Sequence, residues 1–306
     1  MIFNTAYHKK SGGIALTGIA VKTPPTTTRF KAGAAIDISG MVLEATYSNG
    51  ATKELTTGFT YSPTVAAKGD AAITISFTEL GVTATTTQAI SVVSISAVFS
   101  ENDWADIIAA VQNNEVPSTW NVGDSCNMTI NNKTYAIDII GKNHDDYADG
   151  SGKASLTFQM HTTYATQYKM NGAESNSCGW KNCLVRTSNA FPALKKVMPA
   201  EVVAALKAVT KKTTAGGASS AIDTTEDTLF LLSEIEVQGT RTFSYAGEGT
   251  QYEYYKTEAN RKKNRAWYLR SPRLNSTSCF DRTGWSGEAD WSVASEVDGI
   301  AAAWCF

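Results

Sequence analysis

The sequence has little charge, no long apolar run and few cysteines, and each shortage argues against a class of protein. Only 18% of its 306 residues are charged, and the formal net charge is −2, with no large block of one sign. We therefore expect no surface for nucleic acid or for an anionic membrane. No stretch approaches the roughly 18 uninterrupted apolar residues of a membrane helix, so we also expect no membrane insertion.

The first ten residues contain no apolar segment of signal-peptide length, which predicts synthesis in a cytoplasm without a signal peptide. An odd number of cysteines without such a signal argues against a disulfide framework. A zinc site would need further ligands from distant segments, so we expect buried structural thiols, no metal and no cofactor. The five cysteines are Cys126, Cys178, Cys183, Cys279 and Cys305.

Residues 14–93 have the pattern of short strands separated by turns. Residues 41–47 alternate between apolar and polar positions, and Asn49-Gly50 follows as a strong hairpin signal. Residues 73–77 form a second alternating run, and turn residues recur about every ten positions, the spacing typical of β-sandwiches. The pattern predicts a small all-β sandwich.

The rest of the chain mixes predicted helices and strands, which indicates an α+β domain. A capping-box pattern at residues 100–103 precedes an apolar stripe at residues 104–111, so we expect a helix there. Further predictions are strands at 128–130, 135–140 and 156–160, a helix at 199–209 and a compact apolar run at 229–232. We divide the chain into a flexible lead-in, a sandwich and an α+β domain, at residues 1–13, 14–95 and 97–306.

Residues 271–299 have almost no aliphatic periodicity and consist mainly of small polar residues with a few Trp and Arg. Apolar segments at 267–269 and 300–306 flank them, so we expect core strands of one sheet to hold exposed loops. Small polar residues with Trp and Arg anchors are typical of a binding surface. Composition alone is equally compatible with a solvated loop or a disordered tail, although Trp285 and Trp291 are poor residues for a purely solvated loop.

The first domain resembles a known family. Residues 16–21, 31–33, 40–42, 45–50 and 58–63 resemble those of bacterial immunoglobulin-like domains, which occur as spacers on bacterial surfaces and phage tails. This resemblance implies a structural role for residues 14–95, with other virion tail proteins as partners of the N-terminal region.

The second domain is similar to an uncharacterised domain of bacterial surface and phage tail proteins. The similarity rests on residues 140–146, 148–159, 179–187, 229–237, 267–272 and 299–306. Members of that family resemble C-type lectin folds, and many are variable proteins of diversity-generating retroelements. The resemblance implies an N-terminal all-β immunoglobulin-like sandwich followed by an α+β C-type lectin-like domain. It also implies a virion tail or cell-surface location and a bacterial surface protein or glycan as ligand.

In such variable proteins an error-prone reverse transcriptase rewrites adenines near the 3′ end of the gene, mostly in Asn codons. Trp285, Glu288 and Trp291 would need another template codon, such as one for Lys. The resemblance, with the composition, implies ligand binding by one exposed face formed by Arg273, Asn275, Ser278, Cys279, Asp281, Thr283, Gly284, Trp285, Glu288, Asp290, Trp291, Val293 and Asp298. Arg282 is expected to add charge complementarity.

Catalytic and metal-binding alternatives have weaker support. The acidic turn at residues 144–150 resembles a calcium loop only in part, because Tyr147 and Leu156 stand where oxygen ligands are needed. Formylglycine-generating enzymes share the C-type lectin fold but use closely spaced thiols, whereas Cys279 and Cys305 are 26 residues apart. We therefore predict a recognition protein and no enzyme; a structural tail or spacer component is the alternative.

Overall fold

The computed structural model describes residues 13–306, which separate into two compact units, one ending at Ser94 and one formed by Ile95–Phe306. Strands predominate in both units, and the helices are few and short. The predicted lead-in lies, apart from Gly13, outside the described residues. Among residues 13–306, no helix is long and apolar enough to cross a membrane.

The first unit consists of strands β1 to β8. They are Leu16–Thr23, Arg29–Lys31, Val42–Tyr47, Thr52–Leu55, Phe59–Ser62, Ala72–Glu79, Val82–Ala89 and Ser91–Val93. One sheet has the order β1-β3-β4 and a second the order β5-β6-β7, while β2 and β8 form a parallel pair. Leu43 of the first sheet and Ile75 of the second belong to the same hydrophobic cluster, so the two sheets share one core.

Two features predicted from the alternation in this unit are confirmed. Leu43 and Ala45 are fully buried, as are Ile73 and Ile75, and Phe77 is buried as well. Asn49 and Gly50 form the turn between β3 and β4, where the Asn49 side chain accepts a hydrogen bond from the Ala51 amide at 3.0 Å.

The second unit has five α-helices and nine strands among its described residues. Helices α1 to α5 are Trp104–Gln112, Leu184–Thr187, Ala190–Lys195, Ala200–Ala205 and Glu234–Gln238. Strands β9 to β17 are Ser125–Ile130, Lys133–Lys142, Leu156–Met160, Val209–Gly216, Ser219–Asp227, Trp267–Pro272, Cys279–Thr283, Ala289–Val293 and Ala303–Trp304. The sheet orders are β17-β11-β10-β9, β12-β13 and β14-β15-β16.

Two helix boundaries differ from the prediction. The helix after residue 100 is present and buries its apolar stripe, but Asp103 is its N-cap and accepts from the Asp106 amide at 2.9 Å. Residues Phe99–Glu101 instead form a 3-10 turn. The helix predicted at 199–209 ends at Ala205, because Lys207 bonds through its amide to the Cys305 carbonyl and Val209 begins β12.

An aromatic cluster fills the core beside the four-stranded sheet. Phe158 of β11 lies with its ring centroid 5.7 Å from that of Trp104 and 5.3 Å from that of Phe306. All residues from 300 to 306 are buried, as predicted for a core segment, although only Ala303–Trp304 is a strand. This core supports the three-stranded sheet that carries the candidate site.

Candidate functional site

Residues 271–299 form part of a sheet, and this corrects the prediction of loops held between two strands of one sheet. β14 belongs to the three-stranded sheet and β17 to the four-stranded one. One parallel bridge, between Trp267 and Gly299, joins the flanking segments. The segment folds with few aliphatic residues because strand pairing satisfies its backbone groups, and β15 and β16 pair in continuous register from Cys279↔Val293 to Thr283↔Ala289.

The predicted ligand-binding residues divide by burial. The exposed ones are Asn275, Trp285, Glu288 and Trp291, and the half-buried ones are Arg273, Ser278, Asp290 and Val293. The buried ones are Cys279, Asp281, Thr283, Gly284 and Asp298. The prediction of one contiguous exposed face is therefore wrong for these last five. Most of them lie on or next to β15, which is the central strand of its sheet and is covered on both faces.

Three of the charged side chains expected to meet a ligand pair with one another instead. The Arg282 guanidinium donates to Asp290 at 2.7 Å and to Asp298 at 2.8 Å. Glu288 accepts from the amide and hydroxyl of Ser286, which lowers the pKa of the Glu288 carboxyl. These contacts stabilise the β15–β16 hairpin and its turn. Of the two arginines predicted to contact a ligand, Arg273 is therefore the one that can face outward.

Arg273 stacks on aromatic rings beside the edge strand β16. Its guanidinium carbon lies 4.0 Å from the ring centroid of Trp291 and 5.4 Å from that of Phe243. The backbone amide of Asn275 donates to the Tyr245 hydroxyl at 3.4 Å. We call these five residues, Phe243, Tyr245, Arg273, Asn275 and Trp291, the aromatic rim.

Phe243 and Tyr245 were missed by the sequence-based prediction. The available signal was weak, since they are two aromatic residues in the polar stretch 239–250. Only the fold brings this stretch to β16. Here the Leu274 amide donates to the Phe243 carbonyl, so the loop and the residue after Arg273 are joined by their backbones.

Helix α5 fixes the loop that carries these two aromatics. A capping box between Ser233 and Glu236 begins the helix. The carboxylate of Glu234 accepts from the Phe243 amide at 3.0 Å and from the amide and hydroxyl of Ser244 at 2.8 and 2.7 Å. The rim is therefore held by charge-assisted hydrogen bonds and needs little ordering when it binds.

Asp281 lies behind the aromatic rim. It is directly across from Trp291 in the β15–β16 ladder, so both side chains leave the sheet on one face. Asp281 and Thr283 are 0% exposed, and neither the two Asp281 carboxyl oxygens nor the Thr283 Oγ1 has a hydrogen-bond partner among the described residues. Burial raises the pKa of Asp281 well above its usual range, as do the nearby carboxylates Glu234 and Glu248.

A buried chain of alternating charges supports the same sheet. The Arg270 guanidinium of β14 donates to Glu236 at 2.8 Å and to Thr213 at 2.9 Å. Lys211 bonds to both Glu236 and Asp145. Burial opposes ionisation of Asp145, but the Lys211 ammonium and its hydrogen bonds outweigh it and lower the pKa to about 2. These four groups form two pairs of opposite charge, so the buried charges are partnered inside the unit.

The turn considered as a calcium loop is held by lysines. Asp145 forms its buried ion pair with Lys211. The Asp146 carboxylate lies 2.8 Å from the Lys153 ammonium, and the Asp149 carboxylate lies 3.2 Å from the Lys207 ammonium. No group of three or more potential metal ligands occurs among residues 13–306. The carboxylates of this turn therefore act in ion pairs within the fold.

The thiols have no disulfide partners among the described residues, and all but the half-buried Cys178 are buried. Cys305 lies in the core with its sulfur 3.6 Å from the Thr157 hydroxyl. Burial raises the pKa of the Cys305 thiol well above its usual range, which keeps it protonated and weakly nucleophilic.

A comparison with known families covers the candidate site but assigns no activity. Residues 154–304 match a family described as "Domain of unknown function (DUF6273)". The matched range contains β11 to β17, helix α5 and the complete aromatic rim. No curated protein matches the chain.

Proposed function

We propose that this chain is a ligand-recognition protein that binds through the aromatic rim and the neighbouring hairpin tip. One observation carries the proposal. Of the seven tryptophans, five are at most 7% exposed, whereas Trp285 and Trp291 are 66% and 37% exposed on one hairpin. Exposed aromatic residues held by a fixed scaffold are typical of interaction sites, because they bury large areas at little cost in conformational entropy.

The arrangement of the strands and the sequence resemblances support a finer proposal. The first unit would be an immunoglobulin-like sandwich, and the second a C-type lectin-like domain of a variable protein from a diversity-generating retroelement. A phage tail or a cell surface would carry the chain. Its ligand would be a bacterial surface protein or glycan.

The unpartnered groups on β15 also support diversification of this segment. Natural cores seldom bury a carboxyl group or a hydroxyl without a partner. Asp281 and Thr283 do so at adjacent positions on one face of the strand. If residues at these positions are selected because they improve ligand binding and not because they pack well, buried polar groups without partners are expected. The surrounding ion pairs would then maintain the fold.

Capture experiments with immobilised full-length chain test the recognition function. Bacterial envelope extracts would be applied to the natural protein and to the double variant Trp285→Ala/Trp291→Ala. We expect capture of the selected ligand to fall at least about tenfold in the variant, as for the loss of interface anchors. The matched control is Leu80→Ala/Val82→Ala, which removes two exposed apolar side chains from the first unit. Equal capture by both folded variants would place recognition outside the rim and favour a spacer.

A further inference from the structure

The position of Asp281 raises the question of what donor its carboxyl group meets. The other carboxylates buried around this sheet, Glu234, Glu236 and Glu248, each accept several hydrogen bonds. Asp281 accepts none from the described residues although it is equally buried. A donor from outside the chain would therefore meet an acceptor that is already desolvated and fixed on a central strand.

The aromatic rim indicates what kind of donor fits. A guanidinium group already stacks on the aromatic rings of the rim, since Arg273 lies over Trp291 and Phe243. The Arg273 guanidinium makes no ion pair with Asp281 among the described contacts, so the Asp281 carboxyl group remains open to another donor. Flat cations bind well between an aromatic face and a carboxylate, because the ring attracts the charge and the N–H groups pair with both oxygens.

We propose that Asp281, Trp291 and Phe243 form a site for the guanidinium group of an arginine side chain on a protein ligand. Arg273 occupies the aromatic part of this site and moves away when the ligand binds. Thr283, two residues along the same face as Asp281, offers its Oγ1 as a further acceptor. This assignment rests on the proposed recognition function and names the chemistry that the rim selects.

Proton linkage gives the site a direction of pH dependence. Burial and the facing carboxylates of Glu234 and Glu248 raise the pKa of Asp281, the Cys279 thiol acts in the same direction, and Arg273 opposes them. Protonation of Asp281 therefore competes with a bound guanidinium at higher pH than it would for an ordinary carboxyl group. Affinity should rise as the pH increases toward the raised pKa and fall as the pH decreases.

The test uses arginine amide as the probe and full-length protein labelled with 5-fluorotryptophan. The fluorine resonance of Trp291 is assigned by its loss in Trp291→Phe. We expect arginine amide to shift this resonance saturably and citrulline amide, which is uncharged, to leave it unchanged. In Arg273→Ala the probe should bind about tenfold more tightly, because the competing cation–π contact is gone. Arg241→Ala, which removes an exposed arginine of the neighbouring loop, should bind as the natural chain does.

Asp281→Asn decides the role of the carboxyl group. The amide has the same size, so this variant should melt cooperatively but lose saturable binding of arginine amide and its pH dependence. Equal binding by folded Asp281→Asn, or no binding by Arg273→Ala, would overturn the guanidinium site. If ligand capture still depends on Trp285 and Trp291 in that case, the recognition function stands and only the chemistry assigned to it fails.

Discussion

At the scale of single residues, the unit contrasts satisfied and unsatisfied polar groups in equally buried places. Thr157 and Thr283 are both 0% exposed. The Thr157 hydroxyl donates to Asp145 at 2.6 Å and helps to keep that carboxylate ionised. The Thr283 hydroxyl has no partner among the described residues. The first hydroxyl should therefore stabilise the fold, and the second should not.

Replacement of each threonine by valine measures this difference. Thr157→Val removes a donor from a buried carboxylate and should lower the free energy of unfolding by about 1–3 kcal/mol. Thr283→Val removes a hydroxyl that has no hydrogen-bond partner in residues 13–306 and should leave the stability unchanged or raise it. Urea unfolding of the two variants provides the comparison. An equal loss in both would mean that Thr283 has a partner in solution.

At the scale of elements, the sequence predicted most reliably the parts whose burial follows a period. The stripe of α1 and the alternation of β3 and β6 could be predicted because apolar side chains cover one face of each. The β15–β16 hairpin could not, since the residues it buries include Asp281 and Thr283. Their burial depends on cover from helix α5 and its loop, which are distant in sequence.

The tryptophans of this part of the chain divide into exposed and buried ones, as the sequence predicted. Trp285 and Trp291 are exposed, while Trp267 and Trp304 are fully buried. Trp304→Ala should lower the free energy of unfolding by about 3–5 kcal/mol, as large core truncations do. Trp285→Ala should change it little, because most of that side chain already contacts solvent. Thermal melts of both variants test this, and a loss in Trp285→Ala as large as in Trp304→Ala would make the hairpin tip part of the core.

At the scale of the whole molecule, the two units have separate hydrophobic clusters. The ion-pair network, the aromatic core and the aromatic rim all lie within Ile95–Phe306. The second unit therefore contains the stabilising contacts of its own fold and every residue of the proposed site.

We expect residues 95–306 produced alone to fold and to melt in one cooperative transition. The midpoint should lie close to that of the same unit in the full chain. Calorimetry of both proteins makes the comparison. A broad, non-cooperative transition in the isolated unit would show that the part of the chain before Ile95 contributes to its fold.

Hydrogen exchange of the full-length chain, with and without the ligand selected from envelope extracts, tests most directly whether recognition occurs at the aromatic rim. Backbone amides become protected where a ligand excludes water and suppresses local opening. We expect added protection in residues 241–247, 273–278 and 285–293, and little change elsewhere. Protection confined to residues 13–94, or to the acidic turn at 144–150, would contradict recognition at the rim.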